Sequence, residues 1–126
     1  MIGYVTLGTN DLDKASAFYD ALFKTIDIGR FMEEAGYFIA WGAGPDAPSV
    51  AATVPFDGQP ASVGNGVMVA LAMQSREQVD CVYRKALELG ATSEGEPGVR
   101  GESKPPFYAG YFRDLDGNKL NAFFVG

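Results

Sequence analysis

The chain has 126 residues, 47% of them hydrophobic, enough for one ordinary domain with a real core and too apolar for a disordered chain. Its 16 acidic and 10 basic residues leave a formal net charge of −6, which excludes a broad nucleic-acid or anionic-membrane footprint. Cys81 is the only cysteine, so no intrachain disulfide can form, and no basic leader runs into a long apolar stretch; a cytoplasmic protein without a membrane span is expected.

Ile2 to Gly8 reads as a strand, with Tyr4 and Thr6 on one face and Val5 and Leu7 on the other. Asn10 can cap a following helix with Asp13 reaching back, and Asp11 is the rival cap. Ala15, Phe18 and Leu22 recur at helical spacing, which predicts a helix from Leu12 to Phe23. Ile26 to Phe31 and Gly36 to Trp41 read as strands around a turn. Gly42 to Pro48 reads as a loop, and Ser49 to Val54 as a further strand.

The plan then restarts. Val67 to Met73 is a predicted strand, Ser75 a helix cap with Gln78 at the capping-box position, and Val79, Val82, Ala86 and Leu89 an apolar stripe. Gly90 stops that helix. Ala91 to Glu96 reads as a strand and Pro97 to Pro106 as a polar loop carrying Arg100 and Lys104. Phe107 to Arg113 and Lys119 to Val125 are aromatic strands, and Asp116-Gly117 between them is the strongest hairpin signal in the chain.

The halves match at an offset of 64 residues: Tyr4 with Met68, Leu7 with Leu71, Asp11 with Ser75, Ala15 with Val79, and Tyr19 with Tyr83. The expected architecture is α+β, a single domain of two βαβββ modules spanning about 1–60 and 64–126. Each module alone leaves a sheet face uncovered, which pairing of modules within or between chains would bury.

The opening Val5-Thr6-Leu7-Gly8-Thr9-Asn10-Asp11-Leu12, continuing to Phe18-Tyr19, and the closing Asp114-Leu115-Asp116-Gly117-Asn118-Lys119-Leu120-Asn121 resemble the vicinal oxygen chelate superfamily. That group holds the glyoxalases, bleomycin-resistance proteins and extradiol dioxygenases. The resemblance covers nearly the whole chain and implies modules that curl into a mixed sheet around a cleft, normally holding one divalent ion. It places the metal-ligand positions on Tyr4, Ala51, Met68 and Asn121.

Those four residues supply no histidine and no carboxylate, and the chain has no histidine at all. Met68 offers a neutral thioether, Asn121 a neutral carbonyl and Ala51 nothing, while Tyr4 would have to ionise near a pKa of roughly 10. No metal and no other cofactor is expected. The absent histidine also removes Ser-His-Asp, zincin and deaminase chemistry.

A cleft with another lining remains. Tyr4 and Thr6 share a face, as do Met68 and Ala70, and Lys119, Asn121 and Phe123. Tyr37, Ile39 and Trp41 form another such row, and Tyr111 approaches from the hairpin. Tyr4, Thr6, Trp41, Met68, Tyr111 and Asn121 are therefore candidates for contact with a small organic ligand, although the aromatics equally suit a core or a dimer seam. Arg100 and Lys104 are candidates to close over an anionic ligand, against the plainer reading of a solvated loop.

Three functions fit: a metal-free glyoxalase-like or bleomycin-resistance-like binder of a small molecule, a metal-independent lyase or isomerase, and a noncatalytic structural or interaction domain. A homodimer is expected, because the resemblance implies association through these sheets and because short strands leave edges to cover.

Overall fold

A computed structural model describes all residues, 1–126. Strand β1 (Tyr4–Gly8) leads into helix α1 (Leu12–Lys24), followed by β2 (Arg30–Glu34), β3 (Phe38–Trp41) and β4 (Ser49–Thr53). The order repeats with β5 (Val69–Ala72), α2 (Arg76–Glu88), β6 (Thr92–Arg100), β7 (Phe107–Arg113) and β8 (Lys119–Val125). Each half forms its own four-stranded mixed sheet, ordered β1-β4-β3-β2 and β5-β8-β7-β6. In both, the first strand lies at an edge and runs parallel to the last; the other pairings are antiparallel.

Local chemistry accounts for the helices. Asp11 caps α1, its carboxylate accepting from Lys14 N at 3.0 Å. The cap is therefore Asp11 and not Asn10, whose side chain instead holds Ala61. Ser75 caps α2 by accepting from Gln78 N, and Gln78 Oε1 accepts from Gln74 N. Gly90 ends α2 at φ +105°, in the left-handed region.

Several boundaries differ from expectation. The residues from Ile26 turn before pairing begins, so β2 is Arg30–Glu34 and not Ile26 to Phe31. β5 is shorter than expected, Val69–Ala72. β6 runs on through Pro97 to Arg100, with register shifts between Ser93 and Gly95 and between Gly95 and Gly98. As an edge strand with bulges it tolerates the proline, so the expected loop shrinks to residues 101–106.

One apolar core of 17 buried residues unites the halves, including Phe18, Tyr19 and Leu22 of α1 and Val79, Val82 and Ala86 of α2. The β7–β8 turn pins them together. Asp114 accepts from the backbone N–H groups of Asp116 and Asn118, the Asn118 amide and the Tyr19 hydroxyl, the last at 2.6 Å. Asn118 Nδ2 donates to Gly8 O at 2.9 Å, and Asn10 N donates to Asp116 Oδ1 at 3.0 Å. Burial, then the Asp114 charge, raises the Tyr19 phenol well above its ordinary pKa, so it stays a donor.

Candidate functional site

Strand alternation sorts every candidate side chain onto one of two faces. On the first sheet, Leu7, Ile39, Trp41 and Ala52 join the helix-side core. Tyr4 and Thr6 therefore lie on the opposite face. Residues 54–62 fold back along that face and flank an open cavity of about 550 Å³ lined by Tyr4, Thr6, Tyr37, Phe38, Thr53 and Phe56, among others. Asn10 fixes this segment, its Oδ1 accepting from Ala61 N at 2.7 Å. Gly8 permits the approach, since a Cβ there would sit 3.1 Å from Ala61 Cβ. Tyr4 is 64% exposed and meets Phe38 edge-on, with ring centroids 6.4 Å apart. The lining combines the phenols of Tyr4 and Tyr37 and the rings of Phe38 and Phe56 with the hydroxyls of Thr6 and Thr53 and the Asp57 carboxylate.

On the second sheet, Leu120, Ala122 and Phe112 join the core. The other face carries Phe107, Tyr111 and Arg113 of β7 and Lys119, Asn121 and Phe123 of β8, with Tyr111 paired to Asn121. Phe107 and Phe123 stack at 5.4 Å. The Arg100 guanidinium lies 5.4 Å and Lys119 Nζ 5.7 Å from the Tyr111 ring centroid. Arg113 pairs with Glu94, whose carboxyl is held below its usual range chiefly by that hydrogen bond. Asn121 is 1% exposed, and its Oδ1 is a buried acceptor with no partner.

A second cavity, of about 540 Å³, lies between β5 and the helix side of the first sheet. Val5, Phe23, Ile28, Val50, Met68 and Leu71 are among its lining residues, none of which is charged.

The structure thus brings Tyr4 and Thr6 together in one cavity, and Tyr111, Asn121 and Arg100 together on the other sheet. Met68 sits apart in the apolar cavity. Trp41 is 1% exposed, packs on Tyr19 and Phe23, and donates its indole N–H to Asp20 Oδ1 at 2.8 Å. It touches the apolar cavity but points away from Tyr4 and Thr6, because the helix covers the odd-numbered side of β3. Arg100 sits in strand β6 and not in a loop. Lys104 is exposed in the 101–106 turn, and the cation that shares Tyr111 with Arg100 is Lys119. Only the alternation Lys119, Asn121, Phe123 carried a signal for that position.

The four positions that would hold a divalent ion do not fit one. Ala51 presents a buried methyl, Met68 a thioether in the apolar cavity, Tyr4 a phenol and Asn121 an amide. No three His, Cys, Asp or Glu side chains converge elsewhere.

A family model described as the Glyoxalase/Bleomycin resistance protein/Dioxygenase superfamily matches residues 1–122. A glyoxalase/bleomycin resistance protein from Albidiferax ferrireducens T118 is 35% identical, with a TM-score of 0.89 over 100% of this chain and 99% of that one. A glyoxalase/bleomycin resistance protein/dioxygenase family enzyme from Burkholderia phytofirmans PsJN is 18% identical, with a TM-score of 0.74 over 98% of each chain. A lactoylglutathione lyase from Agrobacterium tumefaciens is 19% identical, with a TM-score of 0.70 over 98% of this chain and 92% of that one; likenesses this distant speak for fold alone. No curated protein sequence matches. No helix is long and apolar enough to cross a membrane.

Proposed function

Since the chain belongs to the glyoxalase/bleomycin resistance protein/dioxygenase superfamily, we propose that it is a member with a degenerate metal site that binds a small organic molecule. The observation that carries this reading is the open cavity of about 550 Å³ on the first sheet, where Tyr4 takes the place of a metal ligand. Its volume lies in the range of small-molecule sites, and its phenols and hydroxyls offer orienting hydrogen bonds between aromatic walls.

The active unit in this reading is a homodimer. β1 and β5 are edge strands with unpaired outer edges, flanked by the exposed Ile2, Tyr4, Val67 and Met68. Joining β1 of one copy to β5 of its partner would make one eight-stranded sheet. Its face would carry Tyr4 and Thr6 beside Asn121 and Tyr111, which one chain alone keeps on separate sheets.

Native mass spectrometry of untagged protein, with and without prior dialysis against EDTA, tests both parts. The expected spectrum is a dimer without a stoichiometric transition metal, with an organic adduct or uptake of one from a small-molecule library. A stoichiometric transition metal bound to the fresh protein would overturn the degenerate-site reading.

A further inference from the structure

The second sheet's outer face holds an arginine that is built into place. The Arg100 guanidinium lies across Gly95 and Gly98: a Cβ on Gly95 would come within 3.1 Å of Nη2, and one on Gly98 within 3.1 Å of Nη1. Nη2 donates to Glu96 O at 2.6 Å, and the guanidinium carbon lies 5.4 Å from the centroid of the Tyr111 ring. Arg100 makes no ion pair, and neither does Lys119, which shares the same ring. The neighbouring Arg113 is already neutralised by Glu94. Arg100 and Lys119 thus converge on one aromatic ring, neither in a direct ion pair although Lys119 lies within electrostatic reach of Glu94, in a protein of net charge −6.

The same face holds the orphaned Oδ1 of Asn121, directly across the strand pair from Tyr111. A buried acceptor without a partner is costly in the free protein and is relieved by a ligand that brings a donor. Beyond Asn121 the stacked Phe107 and Phe123 extend an apolar platform. Anion anchors, an unmet acceptor and an aromatic floor therefore lie along one strand pair.

We infer that this face recognises a small aromatic carboxylate bearing a hydrogen-bond donor. Its carboxylate is held by Arg100 and Lys119, its ring lies on the Tyr111–Phe123 surface, and its donor pairs with Asn121 Oδ1, which is buried in the free protein and is uncovered on binding. The guanidinium is preorganised by the glycines, so little side-chain freedom is lost on binding. The Lys119 stem is flexible and swings off the ring to admit the ligand. This rests on the small-molecule reading above, whose homodimer sets this face beside Tyr4 and Thr6, and narrows the ligand to a chemical class.

Isothermal titration of the intact protein with 4-hydroxybenzoate, its methyl ester and inorganic phosphate tests the inference. The expected order is hydroxybenzoate tightest, the uncharged ester and the ringless anion each weaker. Arg100→Gln and Lys119→Gln should each weaken hydroxybenzoate about tenfold, the loss of one charge-assisted hydrogen bond. Gly98→Ala, which keeps Arg100 and its charge but whose Cβ would displace the guanidinium from its seat, should weaken it as well. Ester binding as tight as the acid, insensitive to both cation variants, would overturn the anion clamp while leaving a small-molecule binder standing. Phosphate binding as tight as hydroxybenzoate would reduce the site to an unselective cation patch. No binding of any probe would overturn the inference outright, whereas the broader reading is judged separately by the library adducts.

Discussion

Asn121→Leu should make the protein more stable. The substitution removes a buried acceptor that has no partner and replaces it with an apolar side chain of similar size, in a strand, at a position 1% exposed. An unmet buried polar group costs about 1–3 kcal/mol, and part of that is recovered when it is replaced by carbon. A gain of about 1 kcal/mol is expected, which for a domain of this size raises the melting temperature by about 4 °C. Calorimetry and urea unfolding, with an unchanged m value, would measure it. The same variant should bind 4-hydroxybenzoate more weakly, so stability and affinity should move in opposite directions. A melting temperature that is unchanged or lower, in a variant with native circular dichroism, would refute the reasoning and show that the acceptor is already satisfied.

Tyr19→Phe should cost about 1–3 kcal/mol in urea unfolding, because it removes the hydroxyl that donates to Asp114 Oδ2 across the two halves; a loss below about 0.5 kcal/mol would show that this pin contributes little. Leu22→Ala, at a position 0% exposed in the shared core, should cost about 2–5 kcal/mol by the same assay, and a smaller loss would mean that the core collapses around the cavity. The Asp20 carboxyl is held below its usual range, chiefly by the hydrogen bond from Arg30, with burial opposing and the Trp41 indole adding to it. The unfolded state therefore binds the proton more readily, so this stabilisation is present above the ordinary Asp value of about 3.9 and is lost as pH falls through the lowered native value. Emission from Trp41, the sole tryptophan, should report acid unfolding below about pH 4, and Asp20→Asn should flatten that limb; an unaltered limb would remove Asp20 from the account.

Amino-acid order alone carried the duplication, because helical stripes, caps and the Asp116-Gly117 turn are local signals that survive without knowledge of neighbours. It also carried the absence of imidazole from any site the fold could build, since no folding can supply histidines to a chain that has none. Which face each strand turns to the helix was a different matter. Alternation groups Ile39 with Trp41 but does not say whether the helix or the open side receives them, and only the packing of α1 put Trp41 against Tyr19 and Phe23. Pro97 read as the start of a loop because a proline breaks a central strand. The sheet order made β6 an edge, where the missing N–H costs nothing, and so carried Arg100 into a strand. The pairing of Arg100 with Lys119 over Tyr111 and the unmet oxygen of Asn121 depend on three strands coming side by side, which a one-dimensional pattern does not encode.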